Sequence, residues 1–216
     1  MKTIKLLTLL TLFISFSSCS SDDDNGPEPQ QIETRSITNL SAPQEGGIDP
    51  NTGQPLPVSG DFAKFDFSTG TITTSETDWD IAFRATSIII NGGASFGTTD
   101  EPTRSGNAAV YIANGTMESI SLVEGSEFEQ DSEEGYAITT GSGNGWYSYA
   151  GPPTHLITPI PGKILVIKTR DGRYAKIEIL SYYKDAPQNP DAFMDEDSTF
   201  TFNYVYNPNE GEVSFQ

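Results

Sequence analysis

The stretch from residue 163 to residue 183 constrains the fold of this chain more than any other segment. Two runs rich in β-branched residues, KILVIK and YAKIEILS, flank Asp171-Gly172, a dipeptide typical of a tight hairpin turn. Side chains of the first run alternate between two apolar faces: Ile164 and Val166 on one, Leu165 and Ile167 on the other. The pattern predicts an antiparallel hairpin of two strands.

Similar short runs recur along the chain and are separated by clusters of glycine and proline, of which there are 20 and 14. Sustained helical patterns are absent from the sequence. The further predicted strands are residues 62–67, 71–74, 79–84, 87–91, 108–113, 136–140, 146–149 and 200–206. Together they predict an all-β single domain of many antiparallel strands.

Two of these runs predict a buried face directly. Alternate aromatic residues of the last strand share one side: Phe200, Phe202, Tyr204 and Tyr206. In residues 79–84 the apolar and polar side chains alternate: Trp79, Ile81 and Phe83 against Asp80 and Arg84. Because side chains alternate across a strand, we expect Trp79, Ile81 and Phe83 on one face of residues 79–84 and Asp80 and Arg84 on the other.

The remaining segments are predicted to be loops. Residues 35–60 are rich in turn residues and are expected to form an irregular lead-in. Residues 124–134 contain six acidic side chains and are expected to be a solvated loop. Residues 184–198 are polar and contain proline, and residues 151–155 form a stiff, exposed loop.

The first 18 residues have the pattern of a secretory leader. Lys2 and Lys5 precede an apolar run at residues 6–16, which is too short to span a bilayer. The sequence then reaches Cys19, the only cysteine of the chain, through small residues. We interpret residues 1–18 as a lipoprotein signal peptide and Cys19 as the lipidated residue. The alternative is an ordinary secretory signal with an incidental cysteine.

Residues 19–34 are expected to be the lipidated cysteine and a flexible acidic tether, since they are too polar to bury a core. Within them, residues 22–24 are three aspartates, which resemble the signal that exports Bacteroidetes lipoproteins to the outer face of the outer membrane. The alternative is a solvated linker. Residues 35–216 are then the folded domain.

The charge of the chain excludes several partners. The sequence has 12 basic and 30 acidic residues, for a formal charge of −18, and without Lys2 and Lys5 the balance is 10 against 30, or −20. A field so negative argues against nucleic acid and against direct contact with anionic lipid head groups. Membrane association is therefore predicted through the lipid anchor alone.

Motifs that would indicate an enzyme are missing. His155 is the only histidine, so no zinc cluster can form with Cys19 lipidated. Neither Gly-x-Ser-x-Gly nor a phosphate-binding loop occurs, and nothing singles out a carboxylate pair among the 30 acids. We therefore do not expect an enzyme.

Several segments follow one another in a characteristic order: FAKFDFSTG at 62–70, DWDIAFR at 78–84, Gly92-Gly93, Ala109-Val110, GTM at 115–117, Gly145-Trp146, the Asp171-Gly172 turn with Ala175-Lys176, and FTFNYVY at 200–206. In their order and spacing these segments resemble the HmuY family of haem-binding surface lipoproteins. The resemblance covers most of residues 60–207. It implies an HmuY-like all-β fold, haem as cofactor, iron acquisition at the outer-membrane surface, and a TonB-type receptor as partner.

The resemblance breaks down at the iron ligands. It implies a histidine five residues after Trp146, where this chain has Gly151, and a second between residues 118 and 145, where no histidine occurs. Haem iron also accepts methionine and tyrosine. The candidate ligands are therefore His155, four residues past the vacant position, and Met117, with Met194 as a further methionine. Candidate pocket walls are Trp146, Tyr147 and Tyr149.

Two functions remain open at this stage. The first is a haem-capturing lipoprotein with altered iron ligation, in which His155 is the ligand or an exposed loop residue. The second is a surface binding or assembly module that keeps the HmuY fold and recognises a non-haem ligand, glycan or protein, through residues 146–149. Because one fold hosts many functions, the fold alone does not decide between them.

Overall fold

The structure, a computed structural model, describes residues 28–216 and contains thirteen β-strands in this range. In chain order they are β1 Glu33–Ser41, β2 Glu45–Ile48, β3 Pro55–Ser59, β4 Ala63–Asp66, β5 Thr71–Ile72, β6 Ile81–Arg84, β7 Ser87–Ile90, β8 Ala109–Asn114, β9 Tyr147–Tyr149, β10 Ile157–Pro159, β11 Lys163–Lys168, β12 Tyr174–Ser181 and β13 Thr199–Asn207. A short 3₁₀ turn spans Gly125–Glu127.

The strands form two principal sheets and two small hairpins. The larger sheet has the order β1-β13-β12-β11-β8, and the second has the order β5-β4-β6-β7. The separate two-stranded sheets are β2–β3 and β9–β10. All of these strand pairs are antiparallel. The predicted all-β, antiparallel fold is confirmed.

The hairpin predicted at residues 163–183 is β11–β12, with Leu165 opposite Ile177. Its position inside the larger sheet explains why both faces of β11 are apolar. Leu165 and Ile167 face the main core, whereas Ile164 and Val166 face a second cluster on the other side of the sheet.

The main core lies between the two principal sheets. The predicted aromatic face of β13 packs against phenylalanines of β4 and β6, with ring centroids of Phe65 and Phe202 5.6 Å apart in an edge-to-face arrangement. Phe83 and Phe200 are 4.8 Å apart. Such aromatic pairs add about 1 kcal/mol each beyond the area that they bury. The two sheets are therefore joined by a continuous aromatic layer.

The opposite face of the larger sheet has its own covering. Ile164, Val166 and Phe215 form its buried cluster, and partly buried side chains from residues 111–128 pack on it. Lys176 lies beneath this covering, where its ammonium group donates to the carbonyls of Met117 and Ile120. Its ammonium group also lies 4.9 Å from the centre of the Phe215 ring. Lys176 thus contacts both the segment after β8 and the end of the chain.

The expected face of residues 79–84 is wrong at Trp79. Trp79 packs with Ala82 and Ile89, on the opposite side of the second sheet from Ile81 and Phe83. The strand begins only at Ile81, and the side-chain amide of Asn91 binds the Trp79 carbonyl at 2.8 Å. The backbone before β6 is therefore not extended like a strand, and the side chain of Trp79 does not point to the same face as those of Ile81 and Phe83. Asp80 and Arg84 are buried as well.

Three further expectations differ from the structure. The predicted lead-in at 35–60 contains β1, which pairs with β13 and begins at Glu33, inside the expected tether. Residues 136–140 form no strand. In the predicted solvated loop, Asp131 is buried and accepts from Arg104 at 2.8 Å, so this loop is partly anchored in the protein.

Some sequence-based expectations concern residues outside the described range. These are the signal peptide at 1–18, the lipidated Cys19 and the aspartates at 22–24. Within residues 28–216, no helix is long and apolar enough to cross a membrane.

Candidate functional site

The β9–β10 hairpin carries His155 at its tip. Tyr149 pairs with Ile157, and the N–H of Ala150 donates to the Leu156 carbonyl at 2.9 Å, which closes the loop at its base. The N–H of His155 donates to the Gly151 carbonyl at 2.8 Å. The loop thus returns the chain to Gly151, and His155 lies next to the position where the family resemblance implies a histidine.

The side chain of His155 lies between two aromatic residues. Its Nδ1 is hydrogen-bonded to the Tyr149 hydroxyl. Its ring meets Phe193 edge-on, with centroids 5.7 Å apart and an interplanar angle of 83°. The His155 backbone has a φ of 53°, in the left-handed region that non-glycine residues seldom adopt and that clusters at functional sites. The imidazole is exposed and yet held in place.

A groove of about 370 Å³ opens beside this histidine. Its walls come from two loops, the hairpin tip and the segment between β12 and β13: Pro153, Thr154, Leu156, Asn189, Pro190, Asp191, Ala192 and Phe193. Phe193 is 71% exposed and the adjacent Met194 is 82% exposed. Two large apolar side chains together in water at a groove are a feature of binding surfaces.

The second loop is held near the hairpin by tyrosines at the end of β12. The hydroxyl of Tyr183 accepts a hydrogen bond from the N–H of Ile157 at 3.1 Å. Burial raises the pKa of Tyr183 above its ordinary value, so this hydroxyl remains neutral. The groove is therefore bounded by two segments that are attached to each other through β10.

Trp146 and Tyr147 do not line an open pocket, contrary to the sequence-based expectation. The indole N–H of Trp146 donates to the Thr86 carbonyl at 3.0 Å, and the ring packs 5.3 Å from that of Phe200. Tyr147 is buried in the same core. Of the three predicted wall residues, Tyr149 is the one at the surface, 43% exposed. The other two attach the hairpin to the core.

Met117 lies elsewhere in the molecule. Its side chain packs on the cluster formed by Ile164 and Val166, on the face of the larger sheet opposite the main core. Trp146 and Tyr147, at the base of the hairpin, belong to the main core. The structure therefore does not bring Met117 together with His155.

The residues present fit a planar apolar ligand that contains iron. Imidazole and thioether are both accepted ligands of haem iron. His155 carries an exposed imidazole at the hairpin tip, and Met194 carries an exposed thioether in the loop between β12 and β13. Within residues 28–216, no group of three or more histidine, cysteine, aspartate or glutamate side chains could hold a bare metal ion.

Phe193 was not predicted as a site residue. The signal for it is an apolar pair, Phe193-Met194, inside an otherwise polar loop. Phe193 contacts His155, which is 38 residues away in the sequence. A local sequence pattern cannot predict a contact between two such distant loops.

The fold and the groove define an all-β protein of two packed antiparallel sheets, with a ligand-sized surface groove at an outlying hairpin. The sequence model of the HmuY protein family matches residues 60–204, which is more than half of the chain. The chain belongs to the HmuY family.

Several solved structures are similar to this chain at low sequence identity. The apo form of an HmuY analogue from Tannerella forsythia is 14% identical, with 84% of this chain and 100% of that chain covered and a TM-score of 0.45. A protein from Bacteroides vulgatus described as HmuY-like and haem-binding is 14% identical over 82% and 93%, with a TM-score of 0.41. A protein from Bacteroides fragilis described as a lipoprotein is 17% identical over 82% and 92%, with a TM-score of 0.43. No curated protein sequence matches this chain.

Proposed function

We propose that this protein captures haem at the groove beside His155 and passes it to a TonB-type outer-membrane receptor for iron acquisition. Membership of the HmuY family supports haem as the ligand. The single observation that carries the proposal is the position of the only histidine: exposed at a hairpin tip, next to Gly151 and against Phe193. The protein acts as a carrier and not as an enzyme.

Each residue of the site has a proposed role. Nε2 of His155 would hold the haem iron, because Nδ1 is occupied by Tyr149. Met194, next to Phe193 and exposed, would offer a thioether as a further ligand. Haem would supply the iron centre, and Phe193 would offer an apolar surface to its ring. Covering Phe193 and Met194 stabilises the complex by about 25 cal/mol for each Å² removed from water.

The location proposed for this protein rests on its first 34 residues. Cleavage before Cys19 and lipidation of that residue would anchor the chain, since the several acyl chains of a lipoprotein cysteine hold a protein firmly. The aspartates at 22–24 would direct it to the outer face of the outer membrane. Contact with the membrane is through the lipid anchor alone.

A haemin titration tests the haem proposal. The mature chain with Cys19→Ser is titrated with haemin and followed by absorption spectroscopy in the oxidised and reduced states. We expect a saturable Soret shift at one haem per chain, and His155→Ala should abolish or displace it. Thr140→Ala, at an exposed residue outside the groove wall, is the matched control and should leave the spectrum unchanged.

The titration separates the parts of the proposal. No saturable change in the unsubstituted protein would overturn haem capture altogether. Saturable binding with an unchanged spectrum in His155→Ala would keep haem capture and exclude His155 as the ligand.

A second function is favoured by one specific observation, the exposed aromatic pair Tyr149 and Phe193 on either side of His155. Exposed aromatic faces can stack on sugar rings, so a surface module for a glycan or a protein is the alternative. Screening the same soluble protein against glycans and porphyrins side by side decides between them. Exclusive porphyrin binding would eliminate this alternative.

A further inference from the structure

We propose that Tyr149 is the positioning residue of His155: its hydroxyl holds Nδ1 and thereby presents Nε2 to a metal. This inference rests on the proposed function for its biological use. The hydrogen bond between the Tyr149 hydroxyl and His155 Nδ1 is the direct observation. Within residues 28–216, Nε2 makes no hydrogen bond, so the two ring nitrogens differ in availability.

Tyr149 itself is held at several points. It is the last residue of β9 and pairs with Ile157 of β10. Its N–H donates to the Ser142 hydroxyl at 2.8 Å, and that hydroxyl is 3.5 Å from the Tyr149 carbonyl oxygen. The backbone of Tyr149 is thus held in place at the end of β9, next to the loop that carries His155. An exposed imidazole bonded to the Tyr149 hydroxyl is restricted in orientation, which lowers the entropic cost of binding a ligand.

The chemistry of a phenol suits this role better than that of a carboxylate. A tyrosine hydroxyl both donates and accepts, whereas a carboxylate only accepts. In the free protein the hydroxyl donates to Nδ1, because the imidazole nitrogen is the stronger base of the two, and the ring proton is on Nε2. When a metal binds Nε2, that proton leaves to water and Nδ1 takes a proton from water. The rotated Tyr149 hydroxyl then accepts from Nδ1–H, so the contact is kept in both states.

Because His155 is the only histidine, its ring nitrogens can be observed without assignment. The test is ¹⁵N NMR of the mature chain with Cys19→Ser, labelled in the histidine ring and recorded at pH 9, where histidine side chains are neutral. We expect a single tautomer, with an unprotonated, hydrogen-bonded Nδ1 and a protonated Nε2. In Tyr149→Phe, both shifts should move to those of a histidine in a short peptide.

Tyr147→Phe is the matched control. It also removes one hydroxyl from β9, but that hydroxyl accepts from the N–H of Gly141 and not from His155. We expect its histidine spectrum to equal that of the unsubstituted protein. The proposal is overturned if the unsubstituted protein already shows peptide-like shifts, or if Tyr149→Phe leaves the histidine shifts unchanged.

A second arm uses metalloporphyrins on the same variants. With zinc(II) protoporphyrin IX, a diamagnetic probe, we expect the ring proton to appear on Nδ1 in the unsubstituted protein. Haemin affinity should fall about tenfold in Tyr149→Phe, as is typical when the partner of a ligating histidine is removed. An equal affinity would overturn the positioning role. If neither porphyrin binds but the tautomer result holds, the positioning of His155 stands and the haem function is wrong.

Discussion

Arg170 is the residue that links the two principal sheets through charge. Its guanidinium lies 3.2 Å from the Asp66 carboxylate of β4 and 3.1 Å from that of Asp80, while Arg170 itself follows β11. Asp80 also accepts from the N–H groups of Phe67 and Arg170 at 3.0 Å. Burial raises the pKa of the Asp80 carboxyl above its ordinary value even with the arginine beside it. Two buried acids therefore depend on one cation.

Replacing this arginine should destabilise the protein strongly. We expect Arg170→Met to lower the free energy of unfolding by about 3 kcal/mol at neutral pH, because it leaves two buried carboxylates without a counter-ion. Part of the loss should be recovered on acidification, when the Asp80 carboxyl, whose pKa burial raises, becomes neutral. Denaturant unfolding at pH 7 and pH 4 measures both effects.

Lys184→Met serves as the control for Arg170→Met. Lys184 pairs with Glu196 at 2.7 Å, but both side chains are at least half exposed. Pairs of this kind contribute little, so no measurable change is expected. A similar loss in both variants would contradict the special role of Arg170.

Buried tyrosines are expected to make the free energy of unfolding fall at alkaline pH. Burial raises the pKa of six tyrosines above the ordinary value of 10: Tyr111, Tyr136, Tyr182, Tyr183, Tyr204 and Tyr206. The unfolded chain loses these protons near pH 10 and the folded chain does not. Their stabilisation is therefore complete below pH 10 and is lost as the pH rises above it. Each fully buried tyrosine contributes a slope of about 1.4 kcal/mol per pH unit.

Unfolding free energies at pH 9 and pH 11, together with tyrosinate absorbance, check this prediction. Tyr182→Phe is the matched variant, since it removes one titrating hydroxyl and should reduce the slope. Lys176 acts in the opposite sense, because burial lowers its pKa and the folded lysine loses its proton first; stability therefore rises with pH until the unfolded lysine also titrates near 10.5. If the free energy of unfolding is the same at pH 9 and pH 11, the prediction that the tyrosines outweigh Lys176 in this range is wrong.

At the scale of elements, β1 is the longest of the strands that the sequence did not predict, the others being β2, β3 and β10. Its burial pattern is mostly exposed, and it makes its contacts with β13 across 160 residues of sequence. Residues of such an edge strand need only one apolar side chain at the core, here Leu40. The hairpin β11–β12 was predictable because its strands are adjacent in sequence and apolar on both sides. Residues 136–140 contain alternating apolar side chains, yet no neighbouring strand is placed to pair with them.

The contribution of β1 to stability can be measured by comparing alanine substitutions at two leucines. Leu40 of β1 is 3% exposed, whereas Leu56 of β3 is 44% exposed. We expect Leu40→Ala to cost about 3 kcal/mol of unfolding free energy, the usual loss for a buried leucine. Leu56→Ala should cost much less, since its side chain already contacts water. Equal losses in denaturant unfolding would mean that β1 is not part of the core.

At the scale of the whole molecule, the larger sheet separates the two candidate methionines. Met117 lies against the face that carries Ile164 and Val166, whereas Met194 lies in the loop that contacts the β9–β10 hairpin. We therefore expect Met117→Leu to leave a haemin spectrum unchanged and Met194→Leu to alter the low-spin bands. Absorption spectroscopy of the two variants in the reduced state measures this difference. The opposite pattern would place the ligand on the other face of the sheet.

The sequence predicted the class of fold but only part of the site. Period-two apolar patterns in β11, β12 and β13 identify strands because each has a full buried face. The tip histidine was identified as the only one in the chain, and Tyr149, predicted as a pocket wall, is hydrogen-bonded to it in the structure. The burial of Trp146 and Tyr147 could not be predicted, because an aromatic residue in a loop-like context has the same sequence pattern whether it lines a groove or fills a core. Phe193 depends on a contact between distant loops.

The antiparallel pairing of β1 with β13 also decides which end of the larger sheet lies nearest the groove. The chain reaches the sheet at Glu33, opposite Tyr206, and leaves β1 at Ser41, opposite Thr199. The loop that carries Phe193 rejoins the sheet at Thr199, so β1 runs towards this loop. Eight residue steps of a strand span about 27 Å. For a chain tethered through Cys19, as proposed here, the groove would lie at the end of β1 that is farther along the chain from the lipid anchor.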